Sequence, residues 1–316
     1  MILMNDKRIK GILLVLTAGI LWGVCGTVAQ YLFHYAGFTP EWVVVIRLLV
    51  AGMILLLLSA IKGEHKLHSI WKDRKDVKSL LLFSILGLLA VQYTFFMAIK
   101  HSNAATATVL QYLTPVIITC YFTLISKKLP SKKDILAVAL AVLGTFLIAT
   151  EGNLHRLSIS VNALLWGIGS AFALAFYTLL PRKLLPKWGS SLVLGWAMLI
   201  GGICFSFYNP PWMFTGEWSV YAIFAIIFII IFGTIVPFIC YLESMKYIRA
   251  TEVSVLASIE PVAAAFVSIL WLEVTFGMAE WLGTMCIIST VFILAIFDKT
   301  VEQKTRKSVF RSKESV

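Results

Sequence analysis

Ten runs of mainly apolar residues, joined by short polar connections, dominate the sequence: roughly 10–32, 42–61, 79–99, 104–125, 135–150, 161–180, 190–208, 219–242, 251–271 and 280–297. A helix needs about 20 apolar residues to cross the hydrocarbon of a bilayer. Most of these runs meet that length; the fifth is short. Inside a bilayer no water is available to backbone amides, so each run must close its hydrogen bonds within a helix. Charge content agrees, at 14% of 316 residues against about 25% in a soluble domain. The expected fold class is an all-α membrane protein of ten transmembrane helices. The basic start MILMNDKRIK ahead of an apolar run has the form of a signal peptide. With so many later runs, a retained first helix is expected instead.

The chain repeats itself. Shifted by 146 positions, Ala104–Val116 (AATATVLQYLTPV) lies over Ala250–Val262 (ATEVSVLASIEPV). Matches of Ala, Val and Leu between apolar helices carry little weight. Two coincident prolines inside the runs, Pro115 and Pro261, with a coincident basic flank, Lys100 and Lys246, carry more. The expected organisation is a first five-helix repeat over 1–150, a second over 151–297, and a basic tail over 298–316.

Orientation follows from the basic residues, which favour the cytoplasmic side. With the N-terminus inside, all 27 Lys and Arg residues fall on cytoplasmic segments except Arg47, Lys100 and Arg156. Both termini are then cytoplasmic (N-in/C-in). This distribution accounts for the net charge of +11 without invoking nucleic acid. Five spans per half set the second repeat upside down relative to the first. Inverted repeats whose broken helices meet at mid-membrane are a feature of secondary transporters.

Glu260 and Pro261 stand near the middle of the ninth run. A carboxylate at that depth costs about 2.5–3.5 kcal/mol on insertion scales and usually faces a cavity or a partner. Proline removes a backbone donor and kinks the helix, which frees a carbonyl for water in a cavity. In the first repeat neutral Thr114 takes the place of Glu260. Pro115 and Pro261 are thus candidate helix breaks. Glu260 is a candidate for binding a cationic group or carrying a coupling proton. Arg47, inside the outer end of the second run, either snorkels outward or serves as counter-ion to Glu260 or to a substrate carboxylate.

Polar and aromatic stripes supply further candidates. Gly19, Gly23, Gly26 and Gln30 share a face of the first run, with Trp22 beside them; glycines there let another backbone approach. Gln92 and Tyr93 lie in the third run, Gln111 and Tyr112 in the fourth, and Trp166 and Tyr177 in the sixth. Packing between helices is one use for them. The other is an aromatic-walled cavity for a small amphipathic molecule. Five cysteines stand singly and five histidines are scattered, so no metal or other cofactor is expected. The runs contain no nucleophile–base pair suited to a membrane-embedded transferase. Nor is there a GxxxxGK[ST] loop for nucleotide. Partners expected are a small-molecule substrate and the lipid bilayer, with no signal for oligomeric state.

In order along the chain, Leu21-Trp22-Gly23, Arg47-Leu48, Tyr93–Ala98, Leu113–Val116, Ile259–Val262 and Glu273 together resemble the EamA-type, ten-helix branch of the drug/metabolite transporter superfamily. The resemblance covers about Gly11 to Phe297. Lys127-Lys128 stand where that pattern often carries a Glu. The resemblance implies a secondary transporter at the bacterial cytoplasmic membrane, with no enzymatic activity, exporting small metabolites such as amino acids. Drug-like or cationic compounds are the alternative cargo.

Overall fold

The computed structural model describes residues 2–61, 68–126, 131–151, 153, 158–248, 253 and 256–294. The expected tail over 298–316 lies outside them, as do Lys127, Lys128, Arg156, Ala250 and Glu252. The apolar helical segments, in chain order, are α1 (Lys7–His34), α2 (Pro40–Ile61), α3 (Arg74–His101), α4 (Ala104–Ile125), α5 (Lys132–Thr150), α6 (Val161–Trp188), α7 (Ser190–Ser206), α8 (Val220–Tyr241), α9 (Ile259–Leu272) and α10 (Met278–Leu294). Seven of them are long and apolar enough to cross a membrane; α7, α9 and α10 are shorter. The chain is a multi-pass helical membrane protein.

Helix starts carry the side chains that a buried N-terminus needs. Asn103 accepts from the Thr106 amide at 2.8 Å. Gln30 reaches across from α1 to accept the Ala104 amide at 2.8 Å. Ser160 and Ser219 each accept the amide three residues on at 3.1 Å. Ser131 and Asp134 form a reciprocal capping box at the start of α5. α9 ends at Glu273, whose φ of 53° places it in the left-handed region.

Packing joins the two halves of the sequence. α1 lies along α9, α2 along α7, and α3 along α6. Glycines set these approaches. A Cβ at Gly23 would lie 2.6 Å from the Glu260 carbonyl oxygen, and one at Gly52 2.7 Å from the Leu199 nitrogen. One at Gly144 would lie 2.7 Å from the Gly283 oxygen, where α5 crosses α10. The main apolar core runs from Cys25 in α1 through α2, α3, α7 and α8 to Ile235. The connection after α7 folds over the α1–α2 turn, where Trp42 Nε1 donates to the Pro211 carbonyl at 2.7 Å. Trp218 packs edge-on against both Trp42 and Phe38.

The helices are irregular at matched places. A π-helical stretch spans Phe83–Leu89 in α3, and another spans Ile231–Ile235 in α8. Gly87 and Gly233, one in each stretch, stand 146 positions apart, the offset of the repeat. α4 breaks at Tyr112 and α9 starts at Ser258, again 146 apart. Their backbone angles are nearly the same: φ −70°, ψ 3° at Tyr112 and φ −67°, ψ 4° at Ser258. π-turns and helix breaks often mark functional positions.

Candidate functional site

Each break precedes a proline by three residues, and a proline has no N–H for the carbonyl four residues back. The orphaned oxygens belong to Gln111, ahead of Pro115, and to Ala257, ahead of Pro261. Both are met by side-chain hydroxyls. Thr114 Oγ1 donates to the Gln111 oxygen at 2.7 Å, with the Ala171 oxygen as a second acceptor at 3.0 Å. At the other break the residue matching Thr114 is Glu260, which as a carboxylate has no hydrogen to give. Tyr112 supplies it from α4, its hydroxyl lying 2.8 Å from the Ala257 oxygen. The same hydroxyl lies 3.2 Å from Glu260 Oε2.

This junction has chemical content. A phenol carries one hydrogen, and here it has two acceptors in reach. When Glu260 is ionised, the hydroxyl can turn to the carboxylate. When Glu260 is protonated, the acid can donate to the phenol oxygen while the phenol hydrogen goes to Ala257. Gain or loss of one proton at Glu260 would therefore redirect the bond that closes the break ahead of α9. Glu260 is half-buried, and the Gly23 face of α1 lies against its backbone. Farther along that seam, Thr27 and Ser268 hydroxyls meet at 3.1 Å.

The other sequence candidates form separate groups around this junction. Trp22 packs on Phe238 and Tyr241 of α8, with centroids 5.3 and 5.4 Å apart. Tyr177 reaches the same group through Phe238 at 6.3 Å and touches Phe83 at 5.4 Å. Tyr93 and Trp166 meet edge-on at 5.5 Å. Gln92 and Gln111 are both buried.

Arg47 is held inside the fold. It does not snorkel, being only 4% exposed, and it is not bonded to Glu260. Nε donates to Thr234 Oγ1 at 2.6 Å and Nη2 to the Gly233 carbonyl at 3.0 Å, both in the π-turn of α8. Thr234 in turn donates to the Ile229 oxygen at 2.8 Å. The guanidinium lies over the Phe96 ring, 5.1 Å from its centroid. Arg47 thus ties α2 and α3 to the irregular turn of α8.

Two features escaped the sequence reading. Glu41, beside Pro40 at the start of α2, looks like a first-turn acid favoured by the helix dipole. In the fold Tyr93 donates to its Oε1 at 3.1 Å, and the Tyr93 ring also packs on Phe205 at 4.9 Å. Only the spatial meeting of α2 and α3 reveals that partner. The second was visible: Leu21-Trp22-Gly23 recurs as Leu165-Trp166-Gly167. The glycines act alike, Gly23 admitting the backbone of α9 and Gly167 admitting Leu110 of α4, whose Cβ would lie 3.0 Å from an added Cβ. Of the single cysteines, Cys25 is buried and Cys204 is exposed.

The sequence profile of the EamA-like transporter family matches the chain twice, over residues 9–150 and 161–296. An uncharacterized inner membrane transporter of Salmonella typhimurium, YicL, is 42% identical over 289 residues, spanning 91% of this chain and 95% of its own length. The uncharacterized transporter YyaM of Bacillus subtilis is 24% identical, over 83% of this chain and 86% of its own. The WAT1-related chloroplastic protein At3g02690 of Arabidopsis thaliana is 22% identical over 86% of this chain and 66% of its own. A solved crystal structure superposes with a TM-score of 0.62 at 15% identity, covering 91% of this chain and 98% of that one, which speaks to the fold. The chain belongs to the EamA-like transporter family and is a membrane transporter, not an enzyme.

Proposed function

We propose that the protein is a secondary transporter of the bacterial cytoplasmic membrane that works by alternating access between two inverted five-helix repeats, 1–150 and 151–297. Ten spans with both termini cytoplasmic give the second repeat its inverted orientation. The substrate class is small amphipathic metabolites such as amino acids, moved outward, with Glu260 carrying a coupling proton or holding the substrate's cationic group. The observation that carries this reading is the junction where Tyr112, from the break of one repeat, closes the break of the other and touches Glu260. Matched breaks and matched π-turns support a pair of related halves able to exchange conformations. Trp22, Gln92, Tyr93, Gln111, Tyr112, Trp166 and Tyr177 would line the path, and Arg47 would hold the π-turn against which it opens. The aromatic groups about Trp22 and Tyr93, with Glu41 bonded to the latter, favour a second cargo, amphipathic organic cations, because rings and a carboxylate together suit a desolvated cation.

The test is Glu260→Gln in proteoliposomes, with candidate amino acids and aromatic amines as solutes. If the carboxylate holds a cation, affinity falls by about 1.5–3 kcal/mol. If it carries a proton, downhill exchange survives while pH-driven accumulation disappears. Unchanged affinity, rate and pH dependence would leave Glu260 a structural residue and end the proposal. Orientation has its own check. Single cysteines at Ser69 and Ser131 should be shielded from impermeant thiol reagents in intact cells, and one at Gly216 should be labelled.

A further inference from the structure

The first turns of α3 sort their charges by direction. Asp73 caps the helix, accepting the Lys75 amide at 2.9 Å. Lys187, at the end of α6, places its Nζ 2.5 Å from Asp76 Oδ2 and 3.3 Å from Asp73 Oδ2. Trp188 Nε1 adds a bond to Asp76 Oδ2 at 2.8 Å. Both acids are thus turned toward the α6–α7 link. Arg74 and Lys78, one helical turn apart, are both exposed. Among the described residues neither has an acidic partner. Cations at the start of a helix oppose its dipole, so helix stability does not explain them.

Between them lies a concavity of about 510 Å³, lined by Trp71, Arg74, Val77, Lys78, Leu81 and Leu82. Positions 74, 77, 78 and 81 share one helical face. That face grades from two cations at the helix start to leucines farther along the apolar helix. Trp71, at the mouth, is braced edge-on against Trp196 at 5.1 Å. Aromatic rings with this placement favour the level of the lipid headgroups.

We infer that this groove binds one anionic phospholipid. The phosphodiester sits between Arg74 and Lys78, an acyl chain follows Val77, Leu81 and Leu82, and Trp71 lies at the glycerol level. A free anion would use the cations but has no use for the apolar floor; a zwitterionic lipid would use the floor but would bring a cation toward Arg74. The site is independent of the reading of Glu260. It adjoins the Lys187–Asp76 clasp, through which α3 of the first half of the chain meets α6 of the second, so a bound lipid would brace that contact.

The experiment uses the purified full chain in neutral detergent, titrated with dibrominated phosphatidylglycerol or dibrominated phosphatidylcholine of the same acyl chains. Quenching of Trp71 fluorescence is read as the difference between wild type and Trp71→Phe. Phosphatidylglycerol should reach half-quenching at a tenfold or more lower mole fraction than phosphatidylcholine. Arg74→Gln and Lys78→Gln should each weaken phosphatidylglycerol by roughly fivefold, the usual worth of one basic residue near an anionic surface. The phosphatidylcholine curve should not move. The exchange pair Arg74→Lys and Lys78→Arg should keep the preference, which separates loss of charge from loss of fold. Equal quenching by the two lipids, or Gln variants that bind as wild type, would overturn the inference. So would loss of the preference in millimolar inorganic phosphate, which would make the groove an ion site.

Discussion

Tyr112→Phe removes one oxygen and leaves the ring in place. In the wild type this orphans the Ala257 carbonyl, which Pro261 cannot serve, and removes the partner of Glu260. Hydrogen bonds between membrane helices average about 0.6 kcal/mol and reach about 1.7. An acceptor left buried without a partner costs about 1–3 kcal/mol. The second figure governs here, because Pro261 cannot supply the helical N–H to Ala257, so a loss of about 1–2 kcal/mol is expected. Pro261→Ala changes the outcome. Alanine restores an N–H at position 261, which can close the ordinary helical bond to Ala257 and make the phenol dispensable. The cost of Tyr112→Phe in the Pro261→Ala background should then fall to about 0.5 kcal/mol, the residue of the bond to Glu260. Unfolding in mixed micelles with denaturant, run on all four proteins of the cycle, reads the coupling directly. Additive effects would refute the claim that Tyr112 stands in for the donor that Pro261 lacks.

Gly23→Ala should cost about 1–3 kcal/mol by overpacking, since the new methyl meets the Glu260 carbonyl at 2.6 Å; a melting temperature equal to wild type would show that α1 and α9 separate freely. Arg47→Lys keeps the charge but not the planar fork that reaches Thr234 and Gly233 together. It should destabilise by about 0.5–1.5 kcal/mol, one net hydrogen bond, measured by the same unfolding assay. The Lys75 amide first, and then the Lys187 side chain, hold the Asp73 carboxyl below its ordinary 3.8. A depressed carboxyl contributes stability above its unfolded value and loses it as pH falls through the folded one. Melting curves of wild type and Asp73→Asn should therefore differ near neutrality and converge below the ordinary aspartate range; a constant gap would rule out this role for the charge.

The apolar helical segments were legible because most are long apolar runs, and because the bilayer leaves a backbone few options. The breaks were legible too, since proline marks them. What closes them was not. Tyr112 and Ala257 are 145 positions apart, and nothing local to either residue announces the other. The π-turns carry only a glycine as a sign, and Gly87 and Gly233 gain meaning only once the repeat offset is applied to them. Arg47 misled for a different reason. An arginine near the end of an apolar run ordinarily finds water, whereas here the widened turn of α8 exposes a carbonyl that the guanidinium can reach.

The difference between the two breaks follows from one substitution. At the first break Thr114 closes the carbonyl of its own helix, with the Ala171 oxygen of α6 as a second acceptor. At the second, Glu260 stands at the matching position and cannot donate when ionised, so α9 must borrow a hydroxyl from α4. A single exchange of hydroxyl for carboxylate thus converts a local bond into one between the two halves of the chain. It would also make that bond sensitive to a proton, because the protonated acid and the carboxylate place opposite demands on the Tyr112 hydrogen. In the proposed alternating-access cycle, relative movement of α4 and α9 would first release the phenol, and the charge on Glu260 would set how tightly it is held.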